Sequence, residues 1–196
     1  MKKSKKGLKI YLFRHGQTTY NRDHRFTGFN DAKLTKEGLI HAKMIAKKLM
    51  NKKFQVAIHT RLSRSKKTLK PVLKNHSECK VVIQDDRMIE RSYGNLSGKL
   101  HSMIIKKYGQ KQYDSWHRGY NENSRPPKGE CFKDVEKRVK SFITDLKEFM
   151  KKNQVNVAIS AHGNSIRLFR KIMEKATIKE TTKWFIPYDK VFTYTI

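Results

Sequence analysis

Five short apolar runs constrain what this chain can fold into. They are LKIYLF (8–13), FQVAIH (54–59), KVVIQ (80–84), VNVAIS (155–160) and VFTYTI (191–196). Each is brief and rich in β-branched or aromatic residues, the pattern of buried strands. Helical periodicity fills the gaps between them. Residues 35–50 place Leu39, Ala42, Ala46 and Leu49 on one face, with Thr35 as the N-cap. Residues 62–75 carry Leu62, Leu69 and Leu73, and Pro71 is expected to shorten or kink that helix. Residues 131–151 and 164–175 show two further apolar faces, through Val135, Val139, Phe142, Leu146 and Phe149, and through Ile166, Phe169 and Ile172. Strands alternating with helices predict an α/β fold, a three-layer sandwich with a mainly parallel central sheet flanked by helices. A length of 196 residues fits one domain over 1–196.

The stretch 85–130 breaks this rhythm. It is polar and aromatic and closes on SRPPKGE. It is expected to be an insertion with short helices, laid over one edge of the core as a lid or binding loop.

Charge narrows the function classes. Lys and Arg number 45 against 17 Asp and Glu, a net charge of +28. Such a surface attracts polyanions at low salt and steers small anions inward. No long Arg/Lys block interleaves with aromatics, so a specific nucleic-acid surface is not indicated. Cys79 and Cys131 lie far apart and in no metal-ligand spacing. A reduced, cytoplasmic setting with two free thiols is expected. No apolar run reaches membrane-span length, and MKKSKK is expected to be a frayed basic arm rather than a signal peptide.

In parallel sheets, ligands bind outside the carboxyl ends of the strands. Arg14 and His15 follow the first strand here, Arg61 and Arg64 the second, Glu90 and Arg91 the third after a short loop, and His162 the fourth. Phosphoryl transfer needs this set: a nucleophile, cations for the equatorial oxygens, and a group that moves a proton.

The ordered motifs resemble those of the histidine phosphatase superfamily, and within it the cofactor-dependent phosphoglycerate mutases. The likeness runs from about Lys9 to Ile196. It is carried by FRHGQTTYNRDHRFTGFNDAKLTKEG, TRLSRSKKTL, IERSYGNLSG, KKYGQKQYDSWHRGYN, PPKGECFKDVEKRV and AHGNSIR. The resemblance implies that His15 is the phosphoryl acceptor, forming a phosphohistidine. Arg14, Arg64 and His162 would hold the transferring group, and Glu90 would act as general acid and base. Asn21, Thr27 and Gly28 would help form the pocket, as would Gly163 and Asn164 of the second histidine motif. Arg91, Tyr93 and Arg118 would engage the substrate carboxylate and second phosphate. The implied reaction interconverts 3-phosphoglycerate and 2-phosphoglycerate through 2,3-bisphosphoglycerate, which also serves as primer, with no metal. The implied partners are a small phosphorylated acid and, since relatives commonly form dimers, a second copy of the chain; no membrane partner is expected.

The sequence departs from the family pattern at the distal grip. His101 stands where the family has a lysine, with Lys99 nearby, and the paired arginines read His117-Arg118. Imidazole does not replace the bidentate fork of arginine. Ile196 ends the last strand, where longer mutases carry a tail that closes the site, and an open site is expected to leak phosphoryl groups to water. A histidine phosphatase acting on small phosphomonoesters is therefore the alternative. A polyanion binder that kept the fold and lost the chemistry is a third, motivated by charge alone.

Overall fold

The computed structural model describes residues 7–196, and the basic arm expected at 1–6 lies outside them. The expected strands form as β1 (Lys9–Arg14), β2 (Val56–His59), β3 (Val81–Gln84), β4 (Val157–Ala161) and β5 (Val191–Thr195). They make one sheet in the order β3-β2-β4-β1-β5. The first four run parallel to their neighbours, and β5 lies antiparallel to β1 at one edge.

Side chains alternate across this sheet with period two, so each strand feeds both faces. Ile10, Leu12, Val56, Ile58, Val157 and Ile159 point to one side. There they pack on Val135, Val139 and Phe142 of α6 (Phe132–Asn153) and on Ile166 and Phe169 of α7 (Gly163–Glu174). Tyr11, Phe13, Ala57 and Ala158 point to the other side, against Ile45 and Leu49 of α2 (Lys36–Leu49) and Leu69 and Val72 of α3 (Ser63–Leu73). Two apolar faces on the sheet demand two helix layers, and this is the expected sandwich.

Local chemistry sets the helix ends. Thr35 Oγ1 accepts from the Gly38 amide at 2.9 Å and starts α2. Pro71 lies inside α3, which ends two residues later. In α6, Gln154 turns into the left-handed region with φ 54° and stops the helix.

The segment 85–130 carries three single turns of 3-10 helix, α4 (His101–Tyr108) and α5 (Gln110–Arg118). It builds a separate apolar cluster from Tyr93, Leu96, Ile104 and Tyr113 around Phe26, which comes from the loop after β1. Backbone bonds fasten it to that loop: Phe26 N to the Lys99 carbonyl at 3.0 Å, Gly98 N to Phe26 at 2.7 Å, His101 N to His24 at 2.9 Å. Two elements have no counterpart in the sequence reading, α1 (Thr19–Arg22) and α8 (Ile178–Lys183). Neither presents an apolar stripe; α1 buries no residue and α8 buries only Thr181.

The loop after β1 is held by close backbone approach. A Cβ on Gly16 would stand 2.1 Å from the Gly38 carbonyl oxygen, and one on Gly38 would stand 2.0 Å from that of Gln17. Only glycine allows the two backbones to meet there. Gly38→Ala is expected to destabilise the protein by about 2–3 kcal/mol through overpacking. Urea unfolding measures this, and a loss under about 0.5 kcal/mol would contradict the close approach.

Candidate active site

The register between β1 and β4 creates the site. Arg14 pairs with Ala161, and the His15 amide continues the ladder by donating to the Ala161 carbonyl at 3.0 Å. The next residue on each strand is a histidine, so the two rings lie side by side with centroids 5.0 Å apart. Glu90 completes the group. One donor atom from each of His15, Glu90 and His162 lies within 4.8 Å of the other two.

His15 is 2% exposed, and its Nδ1 meets the Gly16 carbonyl at 2.7 Å. Donation to that carbonyl fixes the proton on Nδ1 and leaves the Nε2 lone pair for attack. Burial, then the charges of Arg64 and Arg14, hold its pKa well below the ordinary value. His162 is pushed down in the same way by burial, Arg64 and His15. Its Nε2 meets Thr60 Oγ1 at 2.8 Å. With Thr60 donating, the single proton of the neutral ring sits on Nδ1, which has no protein partner.

The arginines are held by carbonyls rather than by acids. Arg64 is fully buried and donates to the Asn30 carbonyl at 2.7 Å and the Gly28 carbonyl at 2.8 Å. Burial lowers its pKa to about 10, so it remains a cation at neutral pH. Arg14 donates to the Ile186 carbonyl at 2.9 Å and stacks on Tyr188 at 4.2 Å. The Nε atoms of Arg14 and Arg64 are buried without partners, as is His162 Nδ1. Orphaned donors around one nucleophile are the mark of a site that takes a tetrahedral anion. The His/Glu/His trio has ligand types that suit a divalent cation. The adjacent Arg14 and Arg64 oppose one, and favour an anion instead.

Glu90 sits at the N-terminus of α7. Its Oε1 accepts from the Asn164 amide at 3.0 Å and from the Arg91 amide at 2.9 Å. From behind, Arg138 donates to the Glu90 carbonyl at 3.0 Å and to that of Ile89 at 2.8 Å. The carboxylate is thereby aimed into a cavity of 190 Å³, whose wall includes Arg14, Glu90, Gly163 and Asn164. Asn21, Thr27, Tyr93, His101 and His117 also line it.

Several expected grip residues lie elsewhere. Arg91 is fully buried behind the wall, donating to the carbonyls of Trp116 and His117 at 2.8 and 2.9 Å between the rings of Tyr93 and Phe132. Arg118 is exposed and does not line the cavity, and Gly28 contributes its carbonyl to Arg64 instead. Arg61 is spent on Asp86 at the surface. Of the two candidates for the family lysine, His101 lines the cavity and Lys99 is exposed. Two cavity cations escaped the sequence reading, Arg25 and Arg167. Arg25 lies in an irregular loop with no periodicity to place it. Arg167 falls three residues after Asn164 on α7, a spacing that puts both on one face, and that signal was available.

His101 and His117 stand with ring centroids 5.2 Å apart. Burial brings His101 down to about 4 and His117 to about 3, the latter helped by His101, Arg91, Arg167 and Arg118. Both are neutral at pH 7. A lowered pKa in the fold means that the unfolded chain binds more protons below pH 6.5, the ordinary histidine value. Stability is therefore full above pH 6.5 and falls as the pH drops toward 4. Thermal melts across that range are expected to show the loss, and replacing His101 and His117 with Gln should make it shallower. An unchanged slope would contradict the neutral pair.

Residues 10–195 match the histidine phosphatase superfamily (branch 1). The 2,3-bisphosphoglycerate-dependent phosphoglycerate mutase of Mesorhizobium japonicum is 35% identical over 179 residues, covering 89% of this chain and 85% of that one. The structure is also similar to Bacillus stearothermophilus YhfR, with a TM-score of 0.81 at 22% identity over 95% of this chain and 90% of that one. A putative alpha-ribazole-5'-P phosphatase from Escherichia coli gives a TM-score of 0.76 at 22% identity, over 89% and 83%. The last two likenesses concern the fold. With a buried histidine pair, two carbonyl-held arginines and a carboxylate at the carboxyl ends of its strands, the chain belongs to the histidine phosphatase superfamily.

Proposed function

We propose that this protein interconverts 3-phosphoglycerate and 2-phosphoglycerate through a phosphohistidine at His15, primed by 2,3-bisphosphoglycerate. The observation that carries the reading is the His15 ring, held at Nδ1 by the Gly16 carbonyl within 4.8 Å of Glu90 and His162. The names of relatives near one-third identity support the mutase form of the chemistry. So does the number of cations on the cavity wall, since Arg14, Arg25 and Arg167 suit a ligand with more than one anionic group.

In this reading His15 Nε2 attacks phosphorus in line, and the P–O bond of the ester breaks. Arg14, Arg64 and His162 hold the equatorial oxygens as charge spreads over them. Glu90, carrying the proton it took from the preceding acceptor hydroxyl, gives it to the leaving oxygen and returns to the carboxylate. In the reverse half-reaction Glu90 removes the proton from the acceptor hydroxyl, which attacks the phosphohistidine and frees the imidazole. The carboxylate serves both directions because it faces the cavity beside the nucleophile. No strongly basic metal-bound oxygen is required, because the acceptor is already positioned beside a fixed base.

A second reading is favoured by His101 and His117. Both rings are neutral where the resemblance implies cations, so the distal end grips a bisphosphate less firmly. Water then takes the place of the second hydroxyl, and the same phosphohistidine is hydrolysed.

A coupled assay of 3-phosphoglycerate conversion separates the two, run with and without 2,3-bisphosphoglycerate and with released phosphate followed in parallel. Bisphosphate-dependent formation of 2-phosphoglycerate that exceeds phosphate release is the expected result. Phosphate release alone would establish the phosphatase. His15→Ala is expected to lower either activity by at least about 10⁴-fold, and Glu90→Gln by about 10²–10⁴-fold.

A further inference from the structure

Acids are scarce in this chain, and their placement is informative. Among the described residues, Arg22, Arg61, Arg87, Arg125, Arg138 and Arg170 form ion pairs with carboxylates. Arg14, Arg25, Arg64, Arg91, Arg118 and Arg167 do not. Arg118 is at the surface, Arg91 is buried behind the wall, and Arg64 is committed to two carbonyls beside His15. Arg14 stands at the catalytic end with its unpartnered Nε. That leaves Arg25 and Arg167 on the cavity wall.

The two differ in how they are held. Arg25 lies in the loop that hinges against the 85–130 segment and donates to the Gly98 carbonyl at 2.9 Å. Arg167 is fixed at two points: Nε donates to the Trp184 carbonyl at 2.7 Å, and Nη1 to Asn164 Oδ1 at 2.9 Å. The amide of that same Asn164 holds Glu90. Arg167 is thus tied by one residue to the proton-transfer group. Its Nη2 makes no bond to the protein among the described residues. Tyr93 and Glu90 are the groups that favour its charge, while burial, Arg14 and Arg91 oppose it. A half-buried guanidinium with neighbours against it and a free donor toward a cavity is completed by an anion.

We propose that Arg167 receives the carboxylate of a phosphorylated hydroxy acid, and so selects acids over neutral phosphomonoesters of the same shape. This rests on the reading above and deepens it, because it names the residue that recognises the second anionic group. The bonds to Trp184 and Asn164 fix the plane of the guanidinium before the ligand arrives. Arg167 shares the cavity wall with Arg14 and Glu90, so a ligand whose reacting oxygen lies at Glu90 meets it with its second anionic group. His101 and His117, neutral and aromatic, then shape the mouth instead of supplying charge.

The test compares 3-phosphoglycerate with glycerol 3-phosphate by calorimetry. The two share the phosphoryl group, the chain length and the central hydroxyl, and differ only in carboxylate against hydroxymethyl. The native protein is expected to prefer the acid by at least about tenfold, the scale of a charge-assisted hydrogen bond. In Arg167→Met the ratio of the two affinities is expected to fall to about one. Arg167→Gln is neutral but keeps a donor for the Trp184 carbonyl, and gives the same reading where Met does not fold. A ratio that survives in either neutral variant overturns the proposal. So does a parallel loss of both ligands at constant ratio, which is what a purely structural role would give. Should the coupled assay show no 2-phosphoglycerate while the ratio still depends on Arg167, the mutase reading falls and the acid selectivity stands.

Discussion

The parallel pairing of β1 with β4 is the constraint on which the rest of the structure depends. Its register sets Arg14 opposite Ala161, so the residues that follow, His15 and His162, leave the sheet as neighbours. A slip of one residue would turn one of the two rings to the opposite face. The apolar alternation of Ile10, Leu12, Val157 and Ile159 against Tyr11, Phe13 and Ala158 makes such a slip costly, because each strand is buried on both sides. The core therefore fixes the geometry of His15 and His162. Glu90, Arg64 and α7 are added to a pair that the sheet has already placed.

The second organising feature is that, among the described residues, Arg14 and Arg64 form no ion pair with an acid. Arg64 is fully buried, a position that costs several kcal/mol in desolvation unless charge-assisted bonds offset it. Carbonyls of Gly28 and Asn30 supply those bonds without a bonded acid, while the nearby charges of Glu90 and Asp31 favour the cation. A carboxylate in their place would hold Arg64 equally well and would neutralise the field that a phosphoryl group needs. Burial first, and then the same field, hold His15 in the neutral form that a nucleophile needs. The polar network that supports it is also buried: Thr68 Oγ1 accepts from the Gly16 amide and donates to the Arg64 carbonyl, joining the nucleophile loop to α3.

Much of this was legible in the sequence, for physical reasons that also mark the limits. Strands β1, β2 and β4 read clearly because their apolar runs are continuous, as burial on two faces requires. Strands β3 and β5 also formed where expected, but at the sheet edges, so the burial expected of β3 is not met and Val81 and Val82 are exposed. The strand-end rule then brought His15, Arg64, Glu90 and His162 to one rim. Irregular segments did not read in this way. Arg91 directly follows Glu90 and was expected to grip substrate, but the chain turns there and the guanidinium goes under Tyr93. Arg25 reaches the cavity through an isolated bridge to Leu100, a contact between residues 25 and 100 that no local pattern announces. The segment 184–188 carries the carbonyls that hold Arg167 and Arg14, and nothing in its composition assigns it to the site.

Under the proposed function, the distal end of the cavity decides between return of the phosphoryl group to a second hydroxyl and its loss to water. In the proposed mechanism, attack by His15 needs only the phosphoryl group to be held, and Arg14 and Arg64 stand beside the ring for that. Return of the group to a second hydroxyl needs the acceptor to remain bound while the phosphohistidine stands, in competition with water at high concentration. That competition is won by fixed contacts to the rest of the ligand. Arg118 makes none here, and the two imidazoles offer neutral rings where a fork would grip. The cations on the distal wall are Arg25, held by the Gly98 carbonyl, and Arg167, held in plane by Trp184 and Asn164 beside Glu90. In the proposed reading, mutase and phosphatase share one catalytic end and differ in how firmly the distal wall, with Arg25 and Arg167, holds the rest of the ligand.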